Sequence, residues 1–78
     1  PFRVSYQVVN LAKLVEHFPE GGKVGVADLV ERGLVRPGRL VKVLGAGEVG
    51  VKLEISADAF SATARQRIEA AGGSATEL

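Results

Sequence analysis

Apolar residues recur at helical spacing directly after Asn10. They occupy positions i, i+3, i+4 and i+7 of one stretch, which is typical of a helix with one buried face, and they are Leu11, Leu14, Val15 and Phe18. Asn10 is a residue type favoured at the N-cap, and Pro19 cannot continue a helix. The pattern therefore predicts a helix between Asn10 and Pro19, with Lys13, Glu16 and His17 mainly on its polar face.

A second, shorter helix is predicted from about Val26 to Arg32. Gly33 follows where a left-handed residue commonly ends a helix, and Leu34 can then fold back onto Leu29. The short stretch before this helix, 23–25, is expected to be an extended link, since it follows the turn at Gly21-Gly22.

The last predicted helix begins after Ser61, a favoured N-cap residue, and ends at Gly72-Gly73. Its apolar stripe consists of Phe60, Ala64, Ile68 and Ala71. This spacing places all four on one face of a helix. Arg65 and Glu69 lie four positions apart on the same helix and are expected to pair.

Four segments have the character of strands. Residues 4–10 are rich in Val and place Val4, Tyr6 and Val8 on one face, and residues 40–44 follow a Pro37-Gly38 turn. After residue 50, Val51, Leu53 and Ile55 alternate with charged residues, which predicts a half-buried strand. Residues 74–78 are expected to form a closing strand.

These elements predict a small α/β fold in the order β-α-α-β-β-α-β. Helices would pack on a short mixed sheet, and residues 1–78 would form a single globular domain. Hydrophobic residues make up 46% of the chain and charged residues 24%, which is typical of a folded domain. There is no cysteine and no apolar run of the ~20 residues that span a bilayer. We therefore expect no disulfide, no thiolate metal site, no cofactor and no membrane partner.

The segment from Gly45 to Gly50 is a literal G-x-G-x-x-G directly after a predicted strand. In dinucleotide-binding folds such glycines let the backbone approach a pyrophosphate, but a helix must follow them. Here the period-two pattern predicts a strand, so we interpret the loop as the connection of an antiparallel hairpin. A small nucleotide-binding enzyme fragment remains the alternative.

No other pattern in the chain indicates catalysis. His17, the only histidine, is expected on a polar helix face, and a triad with a serine and Asp28 or Asp58 has no supporting nucleophile-elbow spacing. The acidic residues are scattered, so paired-carboxylate chemistry is not indicated. We predict no catalytic and no metal-binding residues.

Basic residues are concentrated around the predicted hairpin. They are Arg36, Arg39, Lys42 and Lys52, and with the backbone at Gly45 and Gly47 they could contact phosphates. On composition alone an ordinary solvated surface is the favoured explanation, since ten Lys and Arg oppose nine Asp and Glu for a net charge of +1. Composition alone does not indicate nucleic-acid binding.

From Lys42 onward the chain follows one long, ordered pattern. It consists of a Lys-Val-Leu-Gly sequence with glycine and valine after it, alternating Leu and Ile, a Phe-Ser helix start and a closing Ala-Ala-Gly-Gly. The residues are Lys42 to Gly45, Gly47, Val49, Leu53, Ile55, Phe60, Ser61, Ala64, Ile68 and Ala70 to Gly73, with Val9 to Leu11, Leu14 and Gly33 to Val35 upstream. In this pattern the chain resembles the ribosomal protein family numbered fifteen of the bacterial large subunit.

The resemblance implies a structural, non-enzymatic constituent of the large ribosomal subunit in the cytoplasm. Its partners would be 23S ribosomal RNA and neighbouring ribosomal proteins, with no small-molecule substrate. Family members carry a basic, glycine-rich N-terminal arm before a small α/β domain. Because this chain starts at Pro1 in strand-like sequence, we expect it to be the C-terminal domain without that arm. A protein–protein interaction module is a further alternative.

The chain departs from the family pattern at the start of the last helix. Asp58 stands where the family commonly has His, and Ala62 where a basic residue often follows the serine. An aspartate would repel a nearby phosphate. Our predicted RNA-binding residues are therefore Arg36, Arg39, Lys42 and Lys52, with Gly45 and Gly47.

Overall fold

Residues 5–78, the part of the chain that the computed structural model describes, contain three helices and six short strands. Every predicted helix is present, and two strands were not predicted. In chain order the elements are β1 (Tyr6–Asn10), α1 (Leu11–His17), β2 (Gly22–Val24), α2 (Val26–Glu31), β3 (Leu40–Leu44), β4 (Leu53–Ala57), β5 (Ala59–Phe60), α3 (Ala62–Ala70) and β6 (Ser74–Glu77).

The strands form two sheets of three. The first sheet has the order β1-β3-β5 and the second the order β2-β4-β6, and all four pairings are parallel. The α/β class is thus confirmed, but these two parallel sheets replace the short mixed sheet that we expected. The antiparallel hairpin was wrong, because β3 and β4 belong to different sheets.

The two additional strands are too short to show a sequence pattern. β2 occupies the stretch expected to be an extended link, and Val24 is its one buried residue. It pairs with β4, placing Val24 opposite Ile55. β5 has two residues and pairs with β3, placing Phe60 opposite Val43. Strands this short can be identified only from the strands with which they pair, because two or three residues show no periodicity.

The start of α1 is held by the glycine loop and not by its N-cap side chain. Asn10 has the extended backbone of an N-cap residue, but its side chain makes no capping hydrogen bond. The amide of Ala12 instead donates to the carbonyl of Ala46 at 3.0 Å. The predicted position of the helix is confirmed. The hydrogen-bond acceptor for an amide of its first turn, however, comes from a distant segment and not from the Asn10 side chain.

The predicted end of α2 is confirmed. Gly33 has φ 74°, the amide of Leu34 donates to the carbonyl of Leu29 at 2.9 Å, and the amide of Gly33 donates to that of Val30 at 3.0 Å. These two bonds define a Schellman motif. At the other end of α2, the Asp28 carboxylate accepts from the amide of Gly25 at 2.8 Å.

The capping and the buried stripe of α3 are also confirmed. The hydroxyl of Ser61 accepts a hydrogen bond from the amide of Ala64 at 3.1 Å, and Ala64 and Ile68 are fully buried. The expected pairing of Arg65 with Glu69 is not found. The Arg65 guanidinium lies 3.5 Å from the carboxylate of Glu77, so it connects α3 to β6.

One hydrophobic core collects residues from both sheets and all three helices. Its fully buried large side chains are Leu11, Leu14, Val24, Leu29, Val41, Val43, Leu53, Ile55 and Ile68. Within residues 5–78, no helix is both long enough and apolar enough to cross a membrane. On the other face of the first sheet, the large hydrophobic side chains of Tyr6, Val8 and Leu40 are exposed.

Candidate nucleic-acid interface

The first sheet presents one face to the core and the other to solvent. Paired residues of neighbouring strands point to the same side, and successive residues alternate. Val9 lies opposite Val43, and both are buried. The opposite face, which we call the outer face, consists of Tyr6, Val8, Asn10, Leu40, Lys42, Leu44 and Ala59.

Three large hydrophobic side chains of the outer face are exposed. Tyr6 is 37% exposed, Val8 53% and Leu40 41%. The sequence pattern had placed Tyr6 and Val8 on a shared face with Val4, which lies outside the described residues. The structure adds that this face points away from the core.

Gln7 fixes the segment that carries Arg36 and Arg39. Its side-chain amide donates to the carbonyl of Arg36 at 2.6 Å, and its side-chain oxygen accepts from the Arg36 amide at 2.8 Å. A longer bond of 3.4 Å reaches the carbonyl of Arg39. Both arginines are exposed, and they lie just before Leu40, which pairs with Tyr6. Gln7 thus anchors the backbone of two exposed arginines that precede β3, a role that the sequence did not indicate.

Lys42 lies within the outer face itself. It is half-buried and lies between Val8 on β1 and Ala59 on β5. In the described part of the chain, Lys42, Arg36 and Arg39 take part in no ion pair. Lys42 therefore places a positive charge within an apolar surface, and two exposed arginines precede the same strand.

Lys52 does not join these three residues at a common hairpin. It directly precedes β4 in the second sheet, and its carbonyl accepts a hydrogen bond from the amide of Gly22 at 2.9 Å. The structure therefore divides the four predicted cations between two sheets, with Arg36, Arg39 and Lys42 at the first.

The glycine loop packs against the first turns of two helices. A side chain at Gly45 would approach the Ala64 amide of α3 to 2.7 Å, and one at Gly47 would approach the Ala12 amide of α1 to 2.7 Å. The Arg67 guanidinium also donates to the carbonyl of Gly47. Glycine is required at both positions, because a side chain would prevent the loop backbone from approaching the helices so closely. The first turns of α1 and α3 are therefore covered by the loop itself. A strand follows the loop, as predicted from its alternation.

Asp58 is bound to β3 and is not free at the start of α3. Its carboxylate accepts a hydrogen bond from the amide of Val41 at 2.8 Å, and its own amide donates to the carbonyl of Val41 at 3.1 Å. His17, the other candidate for chemistry, is half-buried, and its carbonyl accepts from Arg32 at 2.8 Å. Across residues 5–78 no group of three or more potential metal ligands comes together.

The family model for ribosomal proteins 50S-L15, 50S-L18e and 60S-L27A matches residues 8–76. That range includes every described strand and helix residue except three, Tyr6, Gln7 and Glu77. The chain belongs to this ribosomal protein family.

Several curated relatives are named large ribosomal subunit protein uL15. The chain is 60% identical over 76 residues to the protein of Nocardioides sp., with 97% of the chain and 52% of the relative covered. It is 60% identical over 78 residues to that of Streptomyces griseus, covering 100% of the chain and 52% of the relative. For Corynebacterium glutamicum the identity is 59% over 76 residues, with 97% and 51% covered. The chain spans about half the length of the curated relatives it matches.

Proposed function

We propose that this chain is a structural domain of a large-subunit ribosomal protein. In that role it binds 23S ribosomal RNA and neighbouring ribosomal proteins, and it supports subunit assembly and translation in the cytoplasm. The single observation that carries the proposal is the family match over residues 8–76, supported by the identity of about 60% to proteins named for the large ribosomal subunit.

The RNA contact that we propose is phosphate neutralisation by Arg36, Arg39 and Lys42. These side chains have no acidic partner within residues 5–78, and Gln7 anchors the backbone that bears the two arginines. Such contacts position a protein on RNA with little reading of base sequence. Lys52 would make a separate contact at the second sheet, while Gly45 and Gly47 act through packing.

We further propose that most of the RNA affinity of the complete protein comes from outside residues 1–78. The net charge of this chain is only +1, which provides little long-range attraction to RNA. The relatives are about twice as long, and the family resemblance implies a basic, glycine-rich arm in the other half. The domain would then provide shape and orientation.

A chimera tests this function directly. Residues 1–78 would replace the matching segment of the Streptomyces griseus protein, and large subunits would be assembled without the native protein. We expect the chimera to sediment with the large subunit at full occupancy and to crosslink to 23S ribosomal RNA under ultraviolet light. A folded chimera that stays outside the subunit would contradict the proposal.

Family membership argues against an enzyme, and so does the glycine loop. A dinucleotide site needs free amides at a helix start after the loop, whereas here a strand follows and the Ala12 amide donates to Ala46. We expect ATP and NAD to leave the thermal unfolding midpoint of the chain unchanged. A midpoint that rises with ligand concentration would support the nucleotide-binding alternative.

A further inference from the structure

The outer face of the first sheet combines exposed apolar side chains with cations. Tyr6, Val8 and Leu40 form its exposed apolar part, Lys42 lies within it, and the exposed Arg36 and Arg39 precede Leu40 in the chain. An exposed apolar surface with a polar rim commonly marks a binding site. The chemistry of the rim then indicates the class of partner.

Tyr6 differs from the other described aromatic side chains. Phe60 is buried, and the Arg65 guanidinium lies 5.5 Å from its ring centroid. Phe18 is half-buried beneath Arg32, whose guanidinium is 4.7 Å from its ring centroid. Tyr6 is the one exposed aromatic residue of segment 5–78, and it lies on the outer face of the first sheet. An aromatic ring in that position can stack against a nucleic-acid base.

The charge of the outer face favours an anionic partner. None of the seven residues of the outer face is acidic, and the neighbouring Asp58 carboxylate is bound to the Val41 amide. The exposed face of the second sheet is different, since there Lys23 lies opposite Glu54 and the other side chains are hydroxyls, Ser56, Ser74 and Thr76. The two sheets therefore offer distinct surfaces, and only the first combines an aromatic ring with unpaired cations.

We propose that the outer face binds an unpaired segment of RNA, with one base stacked on Tyr6 and the adjoining phosphates at Arg36, Arg39 and Lys42. Stacking on an exposed ring requires a base that is free of its helix, so the ligand is single-stranded RNA and not a continuous duplex. This inference rests on the proposed ribosomal function and specifies which surface meets RNA and in what form.

Intrinsic fluorescence provides a direct test, because Tyr6 is the only tyrosine and there is no tryptophan. Fluorescence of the 78-residue chain therefore reports on Tyr6 alone. A short oligouridine should quench this emission, because a base stacked on the ring deactivates the excited state of tyrosine. The same strand paired with oligoadenosine should quench it far less. Equal quenching by single strand and duplex, or no quenching at saturating single strand, would overturn the proposal.

Substitutions separate stacking from general attraction. Tyr6→Ala should weaken binding of fluorescein-labelled oligouridine by about 5-fold or more, the range found when a stacking ring is removed. Tyr6→Phe retains the ring and should stay within about 2-fold, because stacking does not need the hydroxyl. Thr76→Ala, on the second sheet, is the matched control and should not alter binding. Equal affinities for the alanine and phenylalanine variants would contradict the stacking role.

The assembled chimera distinguishes this inference from the function on which it rests. Ultraviolet crosslinks from Tyr6 in the large subunit should map to an unpaired nucleotide of 23S ribosomal RNA. If the chimera assembles at full occupancy but Tyr6 crosslinks only to a neighbouring protein, or not at all, the inference fails while the ribosomal function stands. Exclusion of the folded chimera from the subunit would instead remove the function itself.

Discussion

The carboxylate of Asp58 and the backbone of Val41 form a reciprocal pair of hydrogen bonds. The Val41 amide donates to the carboxylate at 2.8 Å, and the Asp58 amide donates to the Val41 carbonyl at 3.1 Å. Asp58 immediately precedes β5, which contains only two residues. The Asp58 side chain thus adds a hydrogen bond between this short strand and β3. In a longer strand, a backbone carbonyl would accept the bond from the Val41 amide.

Asp58→Ala should lower the free energy of unfolding by about 1.5–3 kcal/mol, the usual contribution of a hydrogen bond to a charged group. The loss leaves the backbone amide of Val41, a fully buried residue, without its side-chain acceptor. Asp58→Asn keeps an acceptor oxygen of the same shape and should cost less. Urea denaturation measures both variants, and an asparagine variant as unstable as the alanine variant would show that this bond is not what holds β5.

Two glycines of the same loop should respond differently to alanine. Gly47 has φ 105°, and a side chain there would meet the backbone of Ala12, so Gly47→Ala should cost about 1–3 kcal/mol from strain alone. A side chain at Gly50 meets nothing within 4 Å, so Gly50→Ala should change stability by no more than about 0.5 kcal/mol. Thermal or urea unfolding of the two variants checks the contrast. Equal effects would contradict the packing role assigned to the loop.

Burial on α3 predicts a second contrast. Ile68 is fully buried in the core, and Ile68→Ala should cost about 2–5 kcal/mol by leaving a cavity. Gln66, two residues earlier on the same helix, is exposed, and Gln66→Ala should be nearly neutral because alanine favours helix formation. A denaturation midpoint that stays unchanged in the Ile68 variant would show that α3 does not pack as described.

The cations of the first sheet should set the salt dependence of RNA binding. Each phosphate contact on a single strand contributes a log–log slope of about −0.7, so three contacts at Arg36, Arg39 and Lys42 predict a slope of about −2. Arg39→Glu with Lys42→Glu should flatten this slope and reduce occupancy in large subunits assembled with the chimera. Lys52→Glu, a charge reversal at the second sheet, is the control. It should change the salt slope and the occupancy less than the double variant does.

Folding must be checked in the same variants. Arg39 is exposed and Lys42 is half-buried, so the double variant should retain a cooperative denaturation curve. Normal occupancy together with normal unfolding would show that this side of the domain does not contact RNA. That result would remove the proposed contacts and leave the family membership unchanged.

Local chemistry was sufficient to predict the helices. Ser61 caps α3, Gly33 ends α2 in a Schellman motif, and Pro19 lies just beyond α1, all at the predicted positions. Each of these signals acts within a few residues, because caps and apolar stripes depend on neighbours along the helix. The bounds of β3 were predicted from the turn before it, and the presence of β4 was predicted from alternation after Gly50, although β4 begins two residues later than Val51.

The tertiary structure alone decided which strands pair and which surfaces remain open. Alternation along β3 and β4 predicts two faces for each strand but not its partner, and their closeness in sequence suggested a hairpin that does not form. Parallel pairing joins residues far apart in the chain, such as Tyr6 with Leu40, and no local pattern encodes it. Whether Tyr6 and Val8 face the core or solvent depends on what packs against the sheet. The family pattern therefore identified the domain, whereas the candidate RNA surface became visible only once the two sheets were assembled around one core.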